Sequence, residues 1–348
     1  MNFLSGSSDH TWHPVMTTDT NTLEYWLNWR FFLCAIWVLT SMVVSAIIIW
    51  KFEGSKKSKT EIRDNWQVDT VGTLYKDEAW TTSLKIIHPV WLLAFRVIAF
   101  ILLLALLIAN VILDGSGIFY FYTQWTFSLV TIYFGLASLF SISGCCQYCN
   151  DVGGDGVDRV ALDAERGTYV PPALEENGNM LNMSKSLNSL EEPRVRKTAG
   201  MCSYVFQIIY QICGGSVILT DCVFWFIIYP FLTSDDYKLG FMDVCLHSIN
   251  AVFLLSDVFL NGLRFPFFRI TYFILWTGIY VIFQWIIHAC VSMWWPYPFL
   301  DLSSPFAPLW YMGVGFMHLP CYGIFALMVR LKHFCLSKLF VDAFSTTR

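Results

Sequence analysis

The sequence predicts an all-α protein, a polytopic bundle of transmembrane helices, on three observations. Of its 348 residues 56% are hydrophobic and only 14% are charged, a balance outside that of ordinary soluble domains. Several uninterrupted apolar runs reach the roughly 20 residues that cross a bilayer's hydrocarbon core as a helix. Loops rich in Lys and Arg alternate with loops that have almost none, as expected where the cytoplasmic side collects basic residues.

Seven spans are expected, at about 28–50, 89–113, 118–143, 202–232, 241–263, 268–291 and 307–330. The tail 1–27 has no Lys or Arg, which places the N-terminus outside, and the apolar run that follows suits an uncleaved first span. The inner loop 51–88 carries Lys51, Lys56, Lys57, Lys59, Arg63, Lys76 and Lys85. The turn between the second and third spans has no basic residue. The loop 144–201 has Arg159, Arg166, Lys185, Arg194, Arg196 and Lys197. Lys238 stands alone beside Asp235 and Asp236, Arg264 and Arg269 flank the next inner turn, and 292–306 is again free of Lys and Arg. Spans four to seven thus occupy 202–330, and the tail 331–348, with Lys332, Lys338 and Arg348, is cytoplasmic. Six spans is the alternative, because the fourth run is long and the fifth polar, but removing any one span breaks the alternation.

A net charge of −4, with its basic part at the inner face, points to membrane lipids as partners and away from nucleic acid. Nothing in the sequence calls for a cofactor, and protein partners are not indicated. Plasma membrane and endomembranes fit equally. The loop 144–201 begins acidic and Gly-rich and continues Ser/Asn-rich, so most of it is expected to stay unfolded. Ser184, Ser186 and Ser189 there are phosphorylation candidates, and the sequon at Asn182 is expected to be unused because it lies inside. None of the eleven cysteines sits in an outer loop, so no disulfide framework is expected. Cys145, Cys146 and Cys149, in "GCCQYC", are lipidation candidates; as a zinc site they lack a second ligand pair, so no metal is expected, and plain reduced thiols are the alternative.

The fifth run, "FMDVCLHSINAVFLLSDVFLNGLRF", carries Asp243, His247, Asn250, Asp257 and Asn261. At 100° per residue these fall within an arc of about 80°, which must face a bundle interior or a wet cavity. Complementary rows recur in the third span (Gln124, Ser128, Thr131, Gly135, Ser138), the fourth (Gln207, Gln211, Gly214, Asp221) and the sixth (Thr277, Tyr280, Gln284, His288). Such rows often only hold helices together. Helix rise places Thr123, Asp221, His247, Asn250 and Gln284 at similar heights in the outer half, and matches Arg96 to Asp257 in the inner half. Arg96 and Asp257 are therefore expected to form an ion pair, with snorkelling of Arg96 as the alternative. The stretch 294–311, with four prolines and several aromatics including Trp295 and Tyr297, reads as a stiff lid over an outer pocket for an amphiphile, or as an interfacial aromatic belt.

The segment "LHSINAVFLLSDVFL", followed by "WWPYPFLDL", resembles the androgen-induced membrane protein family and its rolling-stone-like relatives, over roughly 115–330. The N-terminal tail and long inner loop resemble a plant branch of the latter. The resemblance implies an intramembrane threonine hydrolase acting on fatty acid esters, as animal members of the androgen-induced group do on fatty acid esters of hydroxy fatty acids. Its nucleophile would be Thr123, in "FYFYTQWTF", or alternatively Thr126, and its second essential residue His247. This chain departs from the family by the extra first span and the insertion 150–200. Asp243 or Asp221 could orient the imidazole, and Asn250, Gln124, Gln284, Trp295 and Tyr297 are candidates for substrate binding. A non-catalytic lipid-binding, adhesion or scaffold protein is the second reading, and a transporter the third.

Overall fold

Seven apolar helices, each long enough to cross a bilayer, make up the computed structural model: Trp29–Glu53, Pro89–Asp114, Tyr122–Asn150, Met201–Phe231, Phe241–Leu260, Phe267–Cys290 and Ala307–Leu339. They are called spans 1 to 7 below. The structure describes residues 18–54, 75–84, 86–165, 199–233 and 239–340, with side chains to 150 in span 3. Among them there is no strand; isolated bridges occur, one of them between Thr82 and Asn261.

The bundle is apolar outside and polar within. Ile36, Val43, Ile47, Ile101, Ile112, Phe226, Phe259, Ile279, Ile286 and Phe316 are all exposed, an apolar surface that a bilayer accepts and water does not. Arg96, Gln211, Asn250, Asp257, Asn261, Arg269 and Gln284 are fully buried, because in hydrocarbon polar side chains must find partners inside the bundle.

One end of the bundle is basic and is closed by residues 75–84. Here Arg96 is not at the surface but paired: Nε donates to Asp257 Oδ1 at 2.8 Å, and Nη1 donates to Ala79 O and to Ser141 Oγ, each at 2.8 Å. Tyr133 OH and Asn261 Nδ2 donate to Asp257 Oδ2 at 2.5 and 2.6 Å. Lys332 Nζ, also buried, donates to Val258 O at 2.9 Å and Asn261 O at 2.8 Å, and Ser83 Oγ donates to the same Asn261 carbonyl. Alongside, Arg269 donates to Glu53 at 3.0 Å and to Gln207 Oε1 at 3.1 Å, and Tyr322 OH donates to Gln211 Oε1 at 2.7 Å.

Several members of the polar rows of spans 3 and 6 are bonded within the bundle. Thr131 and Ser138 donate to the carbonyls of Phe127 and Phe134 within their own helix. Tyr280 OH and Gln284 Nε2 both donate to Tyr120 O, at 2.9 and 2.8 Å.

The helix that begins span 3 runs from Tyr122 to Glu165, so the acidic, Gly-rich start of the loop 144–201 is helical where unfolded chain was expected. Residues 166–198, with the phosphorylation candidates and the sequon, lie outside the described residues.

Candidate functional site

The other end of the bundle is aromatic, and three turns of backbone build its site. Gly115, at φ 75°, ends span 2 in a conformation glycine adopts without strain, and a short 3₁₀ turn (Ser116–Tyr120) follows. Span 3 therefore starts abruptly at Tyr122, with Thr123 and Gln124 in its first turn.

In span 5 the turn Cys245–Ile249 is π-helical and His247 leaves helical geometry (φ −110°, ψ 15°). A second π-helical turn, Phe224–Ile228, lies opposite in span 4. The two meet: the His247 ring stacks on Phe224 at 3.6 Å between centroids, and Trp225 Nε1 donates to His247 O at 2.8 Å. Extra-residue turns of this kind occur often at functional sites.

The third element is the connection after span 6. Tyr25, before span 1, donates from its hydroxyl to Asp301 Oδ1 at 2.9 Å and accepts from Trp295 Nε1 at 2.9 Å and Leu302 N–H at 3.1 Å. Burial, then the neighbouring Asp301 carboxylate, raises the Tyr25 phenol above its ordinary pKa, so it stays a donor. Trp295 stacks on His288 at 3.7 Å. This clasp holds Tyr297 over the start of span 3, where its hydroxyl accepts Thr123 N–H and shares a hydrogen bond with Thr123 Oγ1, both at 3.3 Å. Burial raises the Tyr297 phenol too, and keeps it protonated.

Beneath lies a polar chamber of about 110 Å³, whose wall includes Asn110, Thr123, Gln124, Asp243, His247 and Tyr297. An apolar chamber of about 60 Å³ adjoins it. The two share Thr123, Phe224, Ile228, His247 and Tyr297, so the threonine and histidine stand in their common wall. Thr123 reaches it although it lies about 100° from the Gln124–Ser128 row, because both Thr123 and Gln124 are at the helix start, where no preceding turn covers them.

Three buried polar atoms of the chamber's wall have no hydrogen-bond partner among the described residues: Asn110 Nδ2, Gln124 Oε1 and His247 Nδ1. Unpaired buried groups are costly. Around a chamber of this volume, which has room for water or a polar ligand group, they are placed to bond an occupant.

The expected site residues do not all meet. Thr123, Gln124, Asp243, His247 and Tyr297 share the chamber wall. No hydrogen bond joins Thr123 to His247, and no carboxylate bonds His247 Nδ1. Asp243 Oδ2 accepts Gly240 N–H at 2.9 Å, as a cap for the start of span 5. Asp221 lies beside Thr220 and Asn250. Asn250, Gln284, Trp295 and Thr126 are not on the wall of either chamber. Asn250 faces span 4 because the π-helical turn resets the helical register ahead of it. Gln284 braces Tyr120 and Trp295 is occupied by Tyr25. Cys146 and Cys149 are exposed and Cys145 half-buried, all as free thiols. Among the described residues no group of His, Cys, Asp or Glu is placed to hold a metal.

Sequence reasoning missed Tyr25, Asn110 and a row formed by Tyr122 OH, Thr277 Oγ1 and His318 Nε2, linked at 2.8 and 2.9 Å. Asn110, alone in an apolar run, and His318, an ionisable group within a span, were the available signals.

Fold and site together define a multi-pass helical membrane protein with a lined chamber at its aromatic end. Compared with family models, with curated proteins and with solved structures, the chain matches none.

Proposed function

We propose that the protein is an intramembrane lipid-ester hydrolase, oriented with its N-terminus and aromatic end outside and its C-terminus in the cytoplasm, in the plasma membrane or an endomembrane. One observation carries this: Thr123 and His247, far apart in sequence, stand in the common wall of a polar and an apolar chamber. Such a wall suits an ester whose polar part occupies the first chamber and whose chain enters the second. The pairing agrees with what the resemblance to the androgen-induced family implies.

In this reading Thr123 Oγ attacks the ester carbonyl while His247 takes its proton. The alcohol leaves with that proton, and an acyl-Thr123 ester remains. Water then attacks the acyl group, His247 takes a proton from the water and returns it to Thr123 Oγ, and the fatty acid leaves. Tyr297, as a neutral phenol beside Thr123, is placed to hydrogen-bond the developing oxyanion. The Thr123 hydroxyl must turn from Tyr297 toward His247 on binding, a tightening common when substrate arrives.

A second reading, amphiphile binding without catalysis, is favoured by a specific observation, the lack of a carboxylate on His247 Nδ1. Labelling of the full-length protein with an alkyl fluorophosphonate separates the two. The hydrolase reading expects labelling that falls by about a hundredfold or more in Thr123→Ala and His247→Ala and persists in Thr126→Ala. A folded wild type that resists labelling yet binds a fatty acid probe establishes the second reading instead.

A further inference from the structure

A third cavity, of about 100 Å³, lies between spans 1, 6 and 7 and shares Thr277, Val281, Phe299, Leu300 and Val314 with the apolar chamber. We propose that this bay is a hydrocarbon-chain subsite, which takes one fatty-acyl chain of a bilayer amphiphile whose polar group lies between Thr123 and His247. The inference rests on the reading of that wall as the place of the polar group.

Three observations point to a chain. First, the hydroxyls and the imidazole of the bay are already bonded. Ser41 donates to Trp37 O at 2.8 Å and Tyr311 to Leu300 O at 3.0 Å. His318 is bonded through Nδ1 to Val314 O and through Nε2 to Thr277 Oγ1, both at 2.9 Å. The bay offers an occupant no open donor or acceptor of these four, whereas the polar chamber offers Gln124 Oε1 and His247 Nδ1. Apolar cavities of this order stay dry and take up apolar ligands.

Second, the bay reaches the outside of the bundle. Trp310 in its wall is 45% exposed, on an outer surface whose apolar residues suit a bilayer, and the wall of span 7 from Trp310 to His318 extends about 12 Å by helix rise. The most abundant matter in contact with such an opening is the acyl chains of the surrounding bilayer, so the occupant need not cross water to reach it.

Third, glycine sets the space. A Cβ at Gly278 would stand 2.6 Å from Met42 Sδ, and one at Gly315 would stand 2.7 Å from Trp37 Nε1. Both glycines receive side chains of span 1 that would otherwise be pushed into the bay. A larger residue at either position therefore fills the bay without touching Thr123 or His247.

The test is photolysis of the full-length protein in phosphatidylcholine vesicles with palmitic acid carrying a diazirine at its chain end, followed by mass spectrometry. Adducts are expected within 37–42, 274–281 or 310–318. Unlabelled palmitate should compete them away, a measurement that needs no variant. Gly278→Leu and Gly315→Leu should each lower them about tenfold, the effect of two methylenes left unburied. Adducts that fall equally on the exposed Val43, Ile47 and Leu319, and resist competition, overturn the proposal. Fluorophosphonate labelling that is absent while the adducts remain removes the hydrolase and leaves the chain subsite, and adducts that are absent while labelling remains do the reverse.

Discussion

At the basic end, the Asp257 carboxylate accepts from Arg96, Tyr133 and Asn261, and Lys332 caps the carbonyls of Val258 and Asn261. At the aromatic end, Asn110, Gln124 and His247 each keep, in the chamber's wall, a buried polar atom with no partner among the described residues. Both sets lie in the same bundle, and spans 3 and 5 contribute to both. Full pairing of a charge in hydrocarbon is a condition of folding, because a lone buried ion costs several kcal/mol or more. Groups left unpaired beside a cavity are instead held ready for water or a ligand. The contrast lies in the charges, all of them paired in the Asp257 cluster, although Thr81 Oγ1 nearby lacks a partner among the described residues. It separates what holds the bundle together from what is available for chemistry.

The largest expected effect breaks the basic end. Asp257→Ala strands the Arg96 guanidinium and should cost about 3–5 kcal/mol, seen as loss of folded protein in thermal unfolding in detergent. Replacing both Arg96 and Asp257 with apolar residues of similar volume should recover part of that loss. Tyr25→Phe removes the hydroxyl on which Asp301, Trp295 and Leu302 converge, and should cost about 1–3 kcal/mol and loosen the aromatic end, read as faster hydrogen exchange over 294–302. The smallest effect sharpens the contrast from the other side. Gln124→Leu removes an atom that has no partner, so its stability should stay within about 0.5 kcal/mol of wild type or rise, while binding of an amphiphile probe weakens. A Gln124→Leu variant as damaged as Asp257→Ala would mean that both ends are structural and that the comparison fails.

The span count was legible because each helix must supply about 20 apolar residues and the loops between them separate by charge. Arg96 and Asp257 could be matched by height, since helix rise is constant and each charge had few alternatives at that depth. Placing residues by angle worked less well. Asp243, His247, Asn250 and Asp257 fall in one row only if span 5 is an unbroken α-helix, and the π-helical turn breaks that row. Asp243 and His247 consequently line the chamber, while Asn250 and Asp257, both beyond that turn, keep a common face and meet Asp221 and Arg96 at different depths. The Tyr25 clasp joins residues 276 positions apart, and no periodicity carries such information. Helix rise gave the height of Thr123 and a resemblance its role, but its place in the common wall depends on a helix start that the apolar pattern does not mark.

The π-helical turn in span 5 also acts as a spacer. It holds one residue more than an α-turn would, so the segment from Phe241 to Val244 is rotated relative to the rest of the helix by about 100°. Deletion of a single residue within 245–249 would return the helix to continuous α-geometry. The rotation would carry Met242 and Asp243 out of the chamber while the half-helix anchored by Asp257 stayed in place. Span 5 can thus be regarded as two rods on one shaft, one fixed to the bundle and one aimed at the cavity, with His247 as the coupling that sets the angle between them.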